Sequence, residues 1–400
     1  MYENQPCRNK SCERTSPNTV PRSRKHCCRP LRVLCQAGTL MMQGVRKMGM
    51  MLLLIVLLFA VAVLFLLPPS LGKLPKIEGR NALSEKITVQ ADGAKLGVII
   101  LSKDRGNPPL LVCGGGPGIP QYLMESLYRS PLSDLFTVCY WDYRGTGLSY
   151  RDDISADEMT SDRYIADTLR MTDYLADRFG KNKIYIMGHS FGTYIALKTV
   201  QAYPEKYVCY IAMAQIVNQA ESEKIAFDYM KGEYEKAGNA KMVREFQKRD
   251  ISKSEEAYID YCASGLRDKA MHELGVGTAR NMRSVIRSIF LPSLRIRAYT
   301  QAERIHIWQG KIKSNKCPAS RDTRTAFNAL QDVPVLEVPV YFLAGAYDYT
   351  CCTSLQVQYY EAVKAPDKAL FVFEESAHSP LYEEHERGRQ VLQEIVARSR

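Results

Sequence analysis

The sequence predicts an α/β architecture: a mostly parallel sheet with helices on both faces, broken by a helical insertion and preceded by an N-terminal transmembrane helix. Three observations carry this. Short β-branched and aromatic runs alternate with helical patterns on both sides of residues 218–332, the rhythm of parallel strands joined by crossover helices. Residues 218–332 themselves are rich in Glu, Lys, Arg and Ala and hold hardly any strand signal. Ahead of everything lies "MMLLLIVLLFAVAVLFLL", Met50 to Leu67, eighteen apolar residues in a run, with no charge between Lys47 and Lys73.

Taken from the N-terminus, residues 1–48 form a basic, disordered tail with ten Lys or Arg against two Glu, which is +8 of the chain's net +11. The remaining chain is only +3, which gives no basis for a nucleic-acid-binding catalytic domain. The tail's basic residues suit anionic lipid; a start of translation at Met41 or Met42 is the other reading. Residues 49–67 read as a transmembrane anchor: eighteen helical residues reach roughly 27 Å, close to the ~30 Å hydrocarbon core. Basic residues on the N-terminal side keep the tail cytoplasmic and export the rest. A signal peptide cleaved before Lys73 is the alternative, but the run is longer than a usual signal core. A Pro- and Gly-containing linker spans 68–82.

The first core segment, 83–217, opens with "KITVQADGAKLGVIILS", two strands around Asp92-Gly93, a hairpin signal. "PPLLVC" and "LFTVCYW" follow as buried strands. A helix over 161–179 places Ile165, Leu169, Ala176 and Phe179 on one face and stops at Gly180. A strand at 183–187, a helix and the strand "YVCYIAMAQIV" complete the segment. After the insertion at 218–332, a helical cap, a second core segment at 333–400 resumes with "VPVYFLAGAYD", "ALFVFEESAHS" and a helix from about Leu381.

Five of the twelve cysteines lie in the tail. Cys113, Cys139 and Cys209 fall in buried strands, where a thiol is a small hydrophobe. Cys262, Cys317, Cys351 and Cys352 read as loop or surface residues, among which an exported domain permits disulfides. No Cys/His spacing suggests a metal.

The chemistry gathers around "YIMGHSFGTY", residues 185–194. A strand precedes it and a helix follows, so Ser190 stands at the tip of a strand-to-helix turn, the setting of a nucleophile elbow. Gly188 and Gly192 leave room where side chains would collide with backbone. A serine hydroxyl needs a base, and the base needs an orienting acid. Of six histidines, His26 is in the tail, His272 and His306 are in the insertion, His189 is fixed beside the serine and His385 lies in a charged helix; His378, in the loop after "LFVFEE", remains. Asp348, beyond the strand ending at Leu343, is the candidate acid. The Gly-rich "CGGGPGIP", Cys113 to Pro120, follows a strand, so an N–H of Gly115 or Gly116 joins that of Phe191 as an oxyanion hole. The phosphate-loop spacing G-x-x-x-x-G-K-[ST] is missing.

With "GGGPG" at 114–118, "DYRGTGLS" at 142–149 and "GHSFG" at 188–192, the chain resembles the α/β-hydrolases, and among them the proline iminopeptidase (prolyl aminopeptidase) family. The likeness covers roughly residues 85–216 and 335–385. It departs at Gly114, where the family usually has His, and at Phe191, where it commonly has Trp. The order Ser190, Asp348, His378 is that of the α/β-hydrolase fold. The resemblance implies release of an N-terminal residue, often proline, from short peptides, with insertion carboxylates holding the free ammonium. Glu221, Glu223, Glu233 and Glu235 on the first insertion helix are the candidates; a solvated helix face explains them equally well. Acyl transfer by a triad requires no cofactor and no metal. The expectation is a membrane-anchored serine hydrolase of small peptides. An esterase using the same triad on small esters or lipids is the alternative, and a non-catalytic binding protein on the same fold a third reading.

Overall fold

The computed structural model describes residues 45–61 and 72–399. Two compact units divide at Leu67 and Pro68. In the first, residues 45–61 are helical with exposed apolar side chains. Residues 62–67, which complete the run read as an anchor, lie outside the described residues, as does the basic tail up to residue 44. Among the described residues no helix is long and apolar enough to cross a membrane, so the structure lends the transmembrane expectation no support.

The second unit is built on one eight-stranded sheet. Its strands are β1 (Leu83–Ala91), β2 (Ala94–Ser102), β3 (Pro109–Cys113), β4 (Thr137–Trp141), β5 (Ile184–His189), β6 (Tyr207–Met213), β7 (Val340–Gly345) and β8 (Lys368–Phe373). The order is β1-β2-β4-β3-β5-β6-β7-β8. β2 runs antiparallel to both β1 and β4, and every other pair is parallel. The Asp92-Gly93 turn pairs Ala91 with Ala94 as the hairpin signal requires, with Gly93 at φ 68°.

The central strands read as unbroken hydrophobic runs because both of their faces are covered. Along β3, Leu111 and Cys113 face one core cluster while Leu110 and Val112 face the other; Ile184 and Ile186 alternate with Tyr185 and Met187 in β5 in the same way. Helices α1 (Gln121–Tyr128), α2 (Ser161–Phe179) and α3 (Phe191–Ala202) lie in the first segment. α2 matches the predicted bounds: Thr160 caps its start by accepting from Arg163 N–H, and Gly180 ends it in the left-handed conformation. Its buried stripe is offset from the expected one. Tyr164, Asp167, Thr168, Met171, Thr172 and Leu175 face inward, while Ile165, Leu169, Ala176 and Phe179 are half-buried at the edge. The polar members enter because each is satisfied there. Thr168 and Thr172 bond back to the carbonyls one turn earlier, and Asp167 holds Arg144 of the "DYRG" motif through two hydrogen bonds of 2.7 Å.

Between β6 and β7 the chain is helical. Its longer helices are α4 (Gln219–Lys236), α5 (Ala240–Gln247), α6 (Glu255–Cys262), α7 (Gly265–Glu273), α8 (Gln301–Ser314) and α9 (Pro318–Thr325). α4, α5, α6 and α7 share a core of their own around Phe227, Met230, Phe246 and Tyr261. α10 (Thr353–Ala362) follows β7, and the helix expected from Leu381 is a short turn, Pro380–Glu383, before α11 (His385–Arg398). The cysteine expectation is corrected here. Cys317, Cys351 and Cys352 are buried with the strand cysteines, and all seven described cysteines are free thiols. Burial pushes the Cys352 thiol up to about 12, so these groups act as small apolar residues rather than as reactive or pairing ones.

Candidate active site

Ser190 joins β5 to α3 at φ 54° and ψ −123°, a conformation that L-residues avoid. The two flanking glycines are sterically required. A Cβ on Gly188 would lie 2.5 Å from the Cα of Thr193, and one on Gly192 would lie 1.9 Å from the carbonyl oxygen of Cys113. The turn is pinned by Ser190 N–H donating to the Met213 carbonyl of β6 (3.1 Å) and by Thr193 N–H donating to the Ser190 carbonyl (2.8 Å).

The histidine and the acid come from the loops after β8 and β7. His378 Nδ1 is 3.0 Å from each carboxylate oxygen of Asp348. Asp348 is buried, and its charge is met by the N–H groups of Thr350 and Cys351, both 2.9 Å from Oδ1, and by Gln356 Nε2, 3.4 Å from Oδ2.

The backbone around His378 is held at each polar position. Its N–H donates to the Gly277 carbonyl (3.3 Å), and its carbonyl accepts from His189 Nε2 (3.0 Å). The residue next to the serine therefore touches the histidine loop directly. Glu383 Oε1 accepts the N–H groups on either side, Ala377 at 3.0 Å and Ser379 at 3.2 Å, while Oε2 accepts from Arg280 N–H at 2.6 Å. Burial raises the Glu383 carboxyl above its ordinary range, and the three backbone N–H groups pull it back down.

Burial, with the neighbouring His378 adding, pulls the His189 imidazole down to about 3. Because the folded value lies below the ordinary 6.5, this group favours folding fully above pH 6.5 and loses that contribution as pH falls toward 3. His189→Gln is expected to flatten the acid limb of stability: a plot of Tm against pH between 6.5 and 4 should fall less steeply than for the wild type. An unchanged slope would mean that other groups dominate acid unfolding.

The Gly-rich loop lies against the serine, since a Cβ on Gly115 would approach Ser190 Cβ at 3.1 Å. The two expected loop donors differ. Gly115 N–H points at the side-chain oxygen of Gln121 at 3.4 Å, whereas the N–H groups of Gly116 and Phe191 meet no protein acceptor among the described residues. Gln121 also contacts His189 Nδ1 (3.2 Å) and donates to the Tyr382 hydroxyl (3.0 Å), linking the loop to the histidine side of the site. From the insertion, Lys311 of α8 bonds the carbonyls of Gly116 and Pro117, and Ser314 bonds that of Pro117. Burial beside Arg324 pulls the Lys311 ammonium down to about 7.

The four insertion glutamates do not act alike. Glu221 and Glu235 are exposed, and Glu233 is half-buried in an ion pair with Lys236. Glu223 alone of the four is buried, and both of its oxygens are taken by the guanidinium of Arg267, with Gln219 Nε2 adding a bond at 3.0 Å. Gln121, Glu383 and Arg267 escaped the sequence reading. Glu383 had one weak signal, a carboxylate five residues after the candidate histidine.

The sequence pattern of the α/β hydrolase fold family matches residues 108–385. A Bacillus subtilis (strain 168) protein named "Probable aminopeptidase YbaC" is 32% identical over 291 residues, 72% of this chain and 88% of that one. Among solved structures, proline iminopeptidase from Mycobacterium smegmatis is similar with a TM-score of 0.58 at 16% identity, over 79% of this chain and 98% of that one. A membrane phospholipase A, titled a bacterial virulence factor, is similar with a TM-score of 0.52 at 15% identity, over 91% and 98%. At such identities the two structures show a shared fold.

Proposed function

The chain belongs to the α/β hydrolase fold family, and we propose that it is a serine hydrolase releasing an N-terminal residue from short peptides through an acyl-enzyme. The observation that carries the serine reading is His378 Nδ1 held on both oxygens of Asp348, with the His378 carbonyl bonded by His189, the residue before a strained Ser190. Ser190 attacks the carbonyl, and His378 Nε2 takes its proton and passes it to the leaving amine. Asp348 keeps the imidazole in the tautomer with Nδ1 protonated and stabilises the imidazolium. The N–H groups of Phe191 and Gly116 receive the oxyanion; losing one such donor typically costs ~10²–10³ in rate. Water then releases the acyl group with the same base.

The aminopeptidase assignment rests on the relative of 32% identity. One observation favours an esterase instead: Glu223, the buried carboxylate of the four candidates, already carries Arg267 as its counter-ion. A substrate ammonium would have to displace a guanidinium. The apolar run at 50–67 with its basic flank is read as an anchor that leaves the catalytic unit outside the cytoplasm.

The test compares a proline arylamide, its N-blocked form and a p-nitrophenyl ester, together with fluorophosphonate labelling. Arylamide cleavage lost on blocking the amine is the expected result. Ester cleavage alone moves the assignment to an esterase, and a wild-type protein that takes no fluorophosphonate is not a serine hydrolase.

A further inference from the structure

Between Glu273 and Glu303 the insertion carries five arginines, at 280, 283, 287, 295 and 297, and no Asp or Glu. The chain beyond residue 48 nets only +3, so the part of it outside this stretch is slightly acidic. The fold turns the stretch into a surface. Residues Ile286–Phe290 form a π-helical turn that continues into Leu291–Ser293. Met282, Ile289 and Ile296 anchor it in the core, and Trp308 braces it, its ring 4.9 Å from that of Phe290 and its Nε1 donating to Ser293 Oγ at 2.9 Å.

The outer side is the unusual one. Ile286 is 64% exposed and Leu291 50%, among exposed Arg283, Arg287 and Arg295. Arg287 and Arg295 form no ion pair with any described residue, and Arg283 donates to the Glu273 carbonyl. At one end the stretch touches the candidate site, through the Gly277 carbonyl on His378 N–H and through Arg280 N–H on Glu383. At the other end Gly72 packs on it: a Cβ there would lie 3.4 Å from Thr300 Cγ2.

We propose that this arginine-rich face of the insertion docks on an anionic phospholipid bilayer. Arg287 and Arg295 meet headgroup phosphates while Ile286 and Leu291 enter the interface between headgroups and acyl chains. The two apolar side chains stand singly among cations, without the contiguous apolar centre of a protein interface. Docking orients the His378 side of the site toward the lipid surface, and it stands independently of the reaction at Ser190.

The chain's two tryptophans make the test direct. Trp141 lies in the sheet core at 1% exposure, so quenching by brominated lipid reports on Trp308 and the face it braces. The full chain is mixed with vesicles of brominated phosphatidylglycerol or brominated phosphatidylcholine. Quenching by the anionic vesicles, weakened by salt, is expected. Arg287→Gln combined with Arg295→Gln should need roughly 30-fold more lipid for the same quenching, with the basic tail intact, and Ser190→Ala should behave as wild type. Equal quenching by both lipids, or a double variant that quenches like wild type, overturns the proposal. So does a wild type that is not quenched but cross-links to a second copy through this face.

Discussion

Ser190→Ala is expected to lower kcat by about 10⁶ on whichever of the arylamide or the ester the wild type cleaves. Alanine keeps a Cβ and must take the same φ of 54°, so the elbow and the fold around it stay as they are. Only the hydroxyl is lost. His378 is then a base with nothing to deprotonate but water, and the N–H groups of Phe191 and Gly116 still polarise the carbonyl, which leaves a residual rate above that in water. Because serine and histidine act as one unit, adding His378→Ala to Ser190→Ala should cost little more. The measurement is kcat with fluorophosphonate labelling alongside and thermal unfolding as the control. A variant that folds, resists labelling and still turns over within tenfold of wild type would remove Ser190 from the chemistry.

Much of this geometry was legible because its signals are local. The strand-turn-helix context of Ser190 needs only a dozen consecutive residues, and α2 declared its C-terminal end through Gly180. The face of α2 was misplaced because burial of Thr172 and Asp167 depends on distant partners: Tyr207, whose hydroxyl is 2.8 Å from Thr172, and Arg144. Periodicity counts apolar residues and cannot see a satisfied polar one. The same limit hid the pairing of Glu223 with Arg267, forty-four residues apart, and the burial of Cys317, Cys351 and Cys352. It also hid the shared hold of Gln121, His189 and Glu383 on the histidine loop, since no one segment contains two of them. The apolar run at 50–67 is a compositional signal, and its last six residues fall outside the described part of the chain.

Asp348→Asn is expected to lower kcat by about 10⁴ with little change in stability, the largest effect of any isosteric change at the site. The argument lies in the hydrogen bonds that the carboxylate already accepts. Oδ1 takes two N–H groups, from Thr350 and Cys351, at 2.9 Å each. An asparagine must therefore keep its oxygen there and put its NH₂ where Oδ2 stands, facing His378 Nδ1 and the Gln356 amide. A donor in that place forces Nδ1 to accept, and the imidazole proton moves to Nε2. His378 then offers Ser190 a donor where a base is needed. Fluorophosphonate labelling should slow by a similar factor, because the defect lies in activating the nucleophile and not in binding the leaving group. KM should stay near the wild-type value, since Asp348 is buried behind the imidazole and touches no substrate. A rate that survives Asp348→Asn within tenfold would mean that another group orients His378, and Glu383 would be the next residue to change.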